Sequence, residues 1–419
     1  MKKHISLMLV CILSLTLAAC RGDAPMNEQS SKNPSPTQTE SPAPQPSDSN
    51  NNSEIDNDST HEILEMSSFD GYILKGRLVL PEGKDSISKL VIFVNGSSAN
   101  TYLNRRVGFN FFDTFADEFS DLGIAFFSYN TRGVSLGDSP PMFYEINEEG
   151  YQTYLPLNQV EDIFYMINAL KENERLKDCK VYLLGASEGT IIAPLVAEKY
   201  PDAVDALFLW GYANQNMKDV LIWQNSGGSS MVWYRAHFES DAQGRIDKES
   251  YEADPNSVIA SILGNAAFND LDVNNDGYLD EKDFTVIMAE SIGFTIDDIL
   301  SAIEKKDDMW LRNNYGLMDG VSYIPLTSAW FLEHFSLRSN MDVLPLLDLP
   351  VYIFHGTLDQ NVDVRGVFQI YEKFRELEKT NLTINVFENH DHNLNYFDII
   401  LYNTMPEGLQ AIFDAIAGK

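Results

Sequence analysis

One run constrains this chain more than any other: Val181-Tyr182-Leu183-Leu184, then Gly185-Ala186-Ser187-Glu188-Gly189, then Thr190-Ile191-Ile192-Ala193-Pro194. It reads as a buried strand, a sharp turn and a helix, the context in which G-x-S-x-G carries chemical meaning. Gly185 and Gly189 leave room for a strained elbow, and the elbow lifts the Ser187 hydroxyl above the sheet edge. A serine hydroxyl is a poor nucleophile until a general base takes its proton, and that base needs an acid to fix its tautomer. A working Ser187 therefore requires an acid and then a histidine further along the chain.

Both occur, in that order. The apolar run Val351 to Phe354 leads into His355-Gly356-Thr357-Leu358-Asp359, which places Asp359 in a loop just past a strand; Asp363 is the alternative acid. The next strand, Ile384 to Phe387, is followed by Glu388-Asn389-His390-Asp391-His392, so two histidines compete for the role of base. His355, at the end of a buried strand, reads as structural.

The surrounding pattern predicts a parallel sheet covered on both faces. The runs His61 to Met66 and Tyr72 to Leu80 read as a hairpin around Asp70-Gly71, and Leu90 to Val94, Ile124 to Tyr129, Val181 to Leu184, Ala206 to Trp210, Val351 to Phe354 and Ile384 to Phe387 read as strands. Leu157, Val160, Ile163, Phe164, Ile167 and Leu170 recur at helical spacing, and Val107 to Leu122 reads as another helix. From about Asn214 to Ser339 no buried strand is evident. The organisation expected is a first core segment over 61–213, a mainly helical cap inserted over 214–340 and a second core segment over 341–419.

With these residues in hand the chain resembles the α/β-hydrolase superfamily, and within it the bacterial carboxylesterases and the dienelactone-hydrolase or serine-peptidase-like relatives. The likeness covers Glu62 to Gly211 and Val343 to Lys419. It includes Arg132-Gly133-Val134-Ser135-Leu136-Gly137-Asp138-Ser139, similar to the R-G-x-G-x-S loop common there, with Ser135 where a glycine is usual and Gly137 where a serine is. The resemblance implies an α/β-hydrolase fold and favours His392 as base, because Asp391-His392-Asn393-Leu394-Asn395-Tyr396 is similar to the terminal histidine loop of the family; His390 stays as the alternative. It also implies an oxyanion hole at Asn95-Gly96-Ser97-Ser98, where the family usually carries His-Gly-x-Gly. Its donors would be the backbone N–H groups of Ser97 and of Glu188, the residue after the nucleophile.

Within the expected cap, Asp272-Val273-Asn274-Asn275-Asp276-Gly277-Tyr278-Leu279-Asp280-Glu281-Lys282-Asp283 looks like an EF-hand loop. Asp272, Asn274 and Asp276 supply side-chain oxygens at positions one, three and five, Gly277 permits the turn, and the Tyr278 carbonyl contributes. Asp283 stands where a bidentate Glu is usual. Helical apolar spacing flanks the loop over Val258 to Leu271 and Phe284 to Ile292. A second loop, Glu239 to Ser250, has the glycine and the apolar anchor but poor ligands, and reads as a degenerate partner. Calcium is thus expected as a structural or regulatory ion, with no cofactor for catalysis. Most of Trp223, Trp233, Tyr234 and Phe238 are expected to build a small cap core, with the lining of an apolar substrate site as the alternative.

The N-terminus reads as an export leader, with Lys2 and Lys3 before the apolar Ile5 to Ala19, a stretch too short to span a bilayer comfortably. Leu17-Ala18-Ala19-Cys20 resembles the bacterial lipobox, which implies a leader over 1–19, lipid on Cys20 and a protein held at a membrane of the bacterial cell envelope. Residues 20–60, rich in Ser, Pro, Asn, Gln and Asp, lack the apolar surface to fold and read as a disordered tether. Cys11 would leave with the leader and Cys20 would carry lipid, so no intrachain disulfide is expected for Cys179. Sixty-two acidic against thirty basic residues give a net charge of −32, which argues against a nucleic-acid partner.

These features together point to hydrolysis of a small ester substrate through an acyl-enzyme. A peptidase or amidase acting on peptide-like substrates would use the same machinery. The reading from a different class, a non-catalytic calcium-dependent surface binding protein, is disfavoured because Ser, Asp and His all stand in the required order.

Overall fold

The computed structural model describes residues 61–140, 143–253, 266–315 and 326–419. The expected leader, Cys20 and the tether lie outside the described residues, as does the part of the Val258 to Leu271 flank over 258–265.

Strands β1 (His61–Ser67) and β2 (Ile73–Val79) form the expected hairpin, with His61 opposite Val79 and Ser67 opposite Ile73. Its turn uses Gly71 at φ 84°. Strands β3 (Lys89–Val94), β4 (Ala125–Tyr129), β5 (Lys180–Ala186), β6 (Ala206–Trp210), β7 (Val351–Gly356) and β8 (Leu382–Phe387) complete an eight-stranded sheet in the order β1-β2-β4-β3-β5-β6-β7-β8. Neighbours from β4 to β8 run parallel, while β2 is antiparallel to both β1 and β4. A mostly parallel sheet of this kind with helices on both faces is the architecture of the α/β-hydrolases.

Alternation along the strands divides the core in two. Leu90, Ile92 and Val94 of β3 face one layer with Leu207 and Leu209 of β6, while Val91, Phe93, Phe208 and Trp210 face the other. Helices α1 (Phe111–Asp121), α2 (Pro156–Lys171) and α3 (Gly189–Lys199) supply the cover, together with Arg365–Glu376 and Glu407–Ala417. The first layer takes Val160, Ile163 and Ile167 of α2 and Ile192 and Val196 of α3; the second takes Phe112, Phe115 and Phe119 of α1. Leu157, counted in the helical stripe, proves exposed, and Phe164 stacks on Tyr200 at 3.7 Å between ring centres. The helix expected over Val107 to Leu122 begins only at Phe111. Gly108 at φ 88° and the two-residue pairing of Arg105–Arg106 with Phe109–Asn110 turn the chain just before it.

Between β6 and β7 the described residues are mainly helical: α4 (Met217–Asn225), α5 (Gly228–His237), α6 (Glu281–Ile292), α7 (Ile296–Glu304) and α8 (Ser328–Ser336). Tyr234 and Phe238 are buried with Met231, Ile246, Leu279 and Phe284 in a small core of their own. Residues of α7 and α8 instead pack on the main body, where Ile299, Ile303, Trp330 and Phe331 meet Ala99, Val134, Tyr151 and Tyr154.

The R-G loop is anchored by an ion-pair cluster that sequence reading did not anticipate. Arg132 is buried, its Nε and Nη2 donating to the two oxygens of Asp162 at 2.7 and 2.6 Å and its Nη1 and Nη2 to Asp70 at 2.7 and 3.1 Å. Truncating one member strands a buried charge, so Arg132→Ala should lower stability by about 3–5 kcal/mol. The exposed Arg375–Glu372 pair is the control: Arg375→Ala should change stability by less than about 1 kcal/mol. Urea unfolding of both variants checks the difference.

Candidate active site

Ser187 sits between β5 and α3, half-buried, at φ 54°. A side chain at either flanking glycine would collide with backbone: a Cβ on Gly185 would lie 2.4 Å from the Gly189 carbonyl oxygen, and one on Gly189 would lie 2.1 Å from the Val94 carbonyl oxygen. The elbow is thus pressed between its own helix and the end of β3. The Ser187 N–H donates to the Trp210 carbonyl at 2.9 Å, tying the elbow to the end of β6.

Asp359 follows β7 and is buried. Its Oδ1 accepts the N–H groups of Asn361 and Val362, both at 2.8 Å, and its Oδ2 faces Nδ1 of His392 at 2.8 Å. A carboxylate only accepts, so Nδ1 carries the proton and Nε2 is the basic nitrogen of His392. The His392 ring lies against Gly211: a Cβ placed there would come 2.7 Å from its Cε1. Since Gly211 follows the residue that accepts the Ser187 N–H, the imidazole stands next to the elbow. Nε1 of Trp210 donates to the His392 carbonyl at 2.8 Å and fixes that loop from the same strand end.

Electrostatics follow from this packing. Burial would raise the Asp359 carboxyl, but the charges of His392 and His355 and the hydrogen bond from His392 outweigh it and hold it below the usual carboxylate range. Burial would lower His392, and the Asp359 carboxylate overrides this and raises it above an ordinary histidine. His355 is buried with Nδ1 accepting from the Tyr212 N–H at 3.0 Å and Nε2 facing the Val362 carbonyl at 3.1 Å; burial holds it low.

The alternative residues lie elsewhere. Asp363 pairs with Arg365, and His390 has Nδ1 on the Glu388 carbonyl at 2.9 Å and Nε2 facing the Gly408 N–H at 3.4 Å.

Ser97 lies in the half-buried loop after β3, where Gly96 is close enough to the elbow that a Cβ on it would be 3.2 Å from Ser187 Cβ. Nδ2 of Asn100 holds the carbonyls of Gly96 and Ser98, at 3.0 and 3.2 Å, and Oγ1 of Thr131 donates to Ser98 as well. Asn95 is buried and donates to the Tyr129 carbonyl at 3.1 Å, a structural task for the residue that replaces the usual histidine.

The side chain of Glu188 had no role assigned from sequence. It is buried, and its carboxylate accepts from Tyr154 Oη and Gln159 Nε2, both at 2.7 Å, Trp330 Nε1 at 3.1 Å and His334 Nε2 at 2.9 Å. Burial pushes this carboxyl up, yet the bonds from His334, Tyr154 and Gln159 hold it below the ordinary glutamate range. The available signal was an acidic residue inside an otherwise apolar strand–turn–helix run.

Away from the elbow, Ile246 pairs with Leu279 and Asp247 with Tyr278, so the two glycine-containing loops lie side by side, with Gly244 at φ 76° and Gly277 at φ 86°. Asp272 accepts the N–H groups of Asp276 and Gly277, Asn274 that of Asp276, and Asp276 that of Tyr278. Asp283 is buried and accepts from the N–H groups of Val273, Asn274 and Asp280. Among the described residues no three His, Cys, Asp or Glu side chains gather as a metal site.

Residues 108–260 match the Hydrolase_4 family, "Serine aminopeptidase, S33", a segment that contains Ser187 but neither Asp359 nor His392. No curated protein matches the sequence. Among solved structures, a thermostable carboxyl esterase from Bacillus coagulans is similar over 85% of this chain and 99% of its own, with 14% identity and a TM-score of 0.49. An esterase from Exiguobacterium antarcticum is similar over 85% and 98%, with 14% identity and a TM-score of 0.44. Porphyromonas gingivalis dipeptidyl peptidase 4 is similar over 85% of this chain but only 35% of its own, with 11% identity and a TM-score of 0.44.

Proposed function

We propose that this protein is a serine hydrolase that cleaves esters, with Ser187 as nucleophile, His392 as base and Asp359 as the acid that orients it. The observation that carries the reading is the Asp359–His392 pair held at the end of β6, against the residue next to the one that bonds the elbow. Nε2 of His392 takes the Ser187 proton as Oγ attacks the substrate carbonyl, and the N–H groups of Ser97 and Glu188 receive the developing oxyanion. His392 then protonates the leaving alcohol, and water repeats the sequence on the acyl-enzyme. The match of residues 108–260 to a serine aminopeptidase family favours an amide-cleaving reading as the second choice, with the same groups and an amine as leaving group.

The proposal extends to the loop of Asp272, Asn274, Asp276, Tyr278 and Asp283 as a calcium site. Its donors are all oxygen, as a hard cation requires, and the pairing of Ile246 with Leu279 supports two loops built as a unit. Their side chains close the loop on backbone N–H groups as the structure stands, so the ion would order this part of the insert and take no part in bond cleavage. We also propose export and lipid attachment at Cys20, with the hydrolase held at a membrane of the bacterial envelope.

A fluorophosphonate probe should label the purified domain and fail on Ser187→Ala; an unlabelled, folded wild type would remove the enzyme reading. Because Asp359 raises His392, and the base must be neutral to act, kcat/KM should climb with pH through a value above about 6.5. Asp359→Asn should cut kcat by roughly 10³- to 10⁴-fold and shift that acid limb to lower pH. Calcium should raise the melting temperature, by an amount reflecting about 2.7 kcal/mol at a hundredfold excess over Kd, and Asp272→Asn should abolish the gain. Melting curves with calcium and with chelator decide that point.

A further inference from the structure

Resting on the reading of Ser187 as nucleophile, we infer that the Glu188 side chain is a positioning residue for acyl transfer, keying the inserted helix α8 to the elbow and thereby setting the direction of its own backbone N–H. Glu188 occupies a singular place. Its main chain lies between the nucleophile and the first residue of α3, and its carboxylate points away from solvent into a nest of four donors. Two of these, Tyr154 and Gln159, belong to the core wall at and just before α2, at 2.7 Å each. The other two, Trp330 and His334, stand one helical turn apart on α8, at 3.1 and 2.9 Å.

Rotating the peptide at Glu188 would drag the carboxylate off these donors, and an unsatisfied buried carboxylate is costly. The N–H direction and the seat of α8 are therefore one mechanical unit. Two asparagines brace it. Nδ2 of Asn340 donates to the carbonyls of Thr190 and Ala213 at 2.8 and 2.7 Å, beside the first turn of α3. Nδ2 of Asn216 donates to the carbonyls of His334, Phe335 and Leu337 at the end of α8, the last at 2.6 Å. The segment that carries α8 is thus tied directly to the elbow. An oxyanion donor acts chiefly in the transition state, so loosening it should lower kcat and leave KM nearly alone.

Hydrolysis of p-nitrophenyl butyrate by the full chain tests this. Glu188→Ala should lower kcat on the order of 10- to 100-fold with KM within about threefold of wild type. Glu188→Gln keeps an oxygen for the α8 donors and should restore most of the loss. Trp330→Phe should reduce kcat a few-fold, and the effects of Glu188→Ala and His334→Ala should fall well short of additive. A folded Glu188→Ala with unchanged kcat, a loss confined to KM, no recovery in the Gln variant or full additivity would overturn the inference. Should Glu188→Ala fail to fold, unchanged kcat in both Trp330→Phe and His334→Ala would overturn it equally. Failure of the underlying reading looks different: Ser187→Ala would then keep its activity, or the fluorophosphonate would leave wild type unlabelled.

Discussion

The close approach of the β5–α3 elbow to the end of β3 is the contact on which the rest of this molecule depends. With the Val94 carbonyl oxygen 2.1 Å from where a Cβ on Gly189 would sit, a side chain there would force the start of α3 away from the end of β3. This close approach sets the N-terminal turn of α3 beside the strand ends, where a serine at φ 54° is held out of the regular strand path. Backbone strain of this kind costs on the order of 1–3 kcal/mol and persists only where the surroundings enforce it. Here the enforcement comes from the ladder on both sides, since β5 pairs with β3 and β6 and the Ser187 N–H itself extends the pairing to Trp210.

A parallel sheet delivers the rest of the site by construction. All strands from β4 to β8 run the same way, so the loops after β3, β5, β6, β7 and β8 emerge along one edge. Ser97, Ser187, Gly211, Asp359 and His392 each lie on one of those loops, although they span nearly three hundred residues of sequence. Helix–sheet packing therefore fixes the site more firmly than any bond within it. The 2.8 Å contact of Asp359 with His392 is the final adjustment, and its acid is already held by two N–H groups of its own turn.

Much of this was legible in the chain. The elbow and all eight strands follow from local pattern, because each depends on periodicity or on a glycine at a required φ, whereas the partnership of the two glycine loops was read from their likeness to EF-hand loops. What escaped depends on long-range polar contacts. Nothing near Arg132 in sequence announces that Asp70 and Asp162 will enclose it, and nothing near Glu188 announces Trp330 and His334 from the far end of an insert. The late start of α1 escaped for a local reason: Val107 and Phe109 are as apolar as the helix that follows, and only Gly108 hinted at a turn. The two histidines were separable only by resemblance until the structure set Nδ1 of His392 on the Asp359 carboxylate and Nδ1 of His390 on the Glu388 carbonyl.

The two buried carboxylates near Ser187 illustrate why burial alone does not assign a role. Asp359 and Glu188 are equally inaccessible, and both are held ionised against the cost of desolvation by what surrounds them. Asp359 has one oxygen on a backbone turn and the other on an imidazole whose second nitrogen is basic, so its charge is transmitted to a group able to move a proton. Glu188 has both oxygens filled by donors from two layers of the protein, and its charge goes into holding those layers together. In the proposed acyl transfer, a bare negative charge on the residue that follows Ser187 would oppose formation of the oxyanion. Four donors converging on it offset that field locally, which is the condition under which an acidic residue can stand directly after the proposed nucleophile.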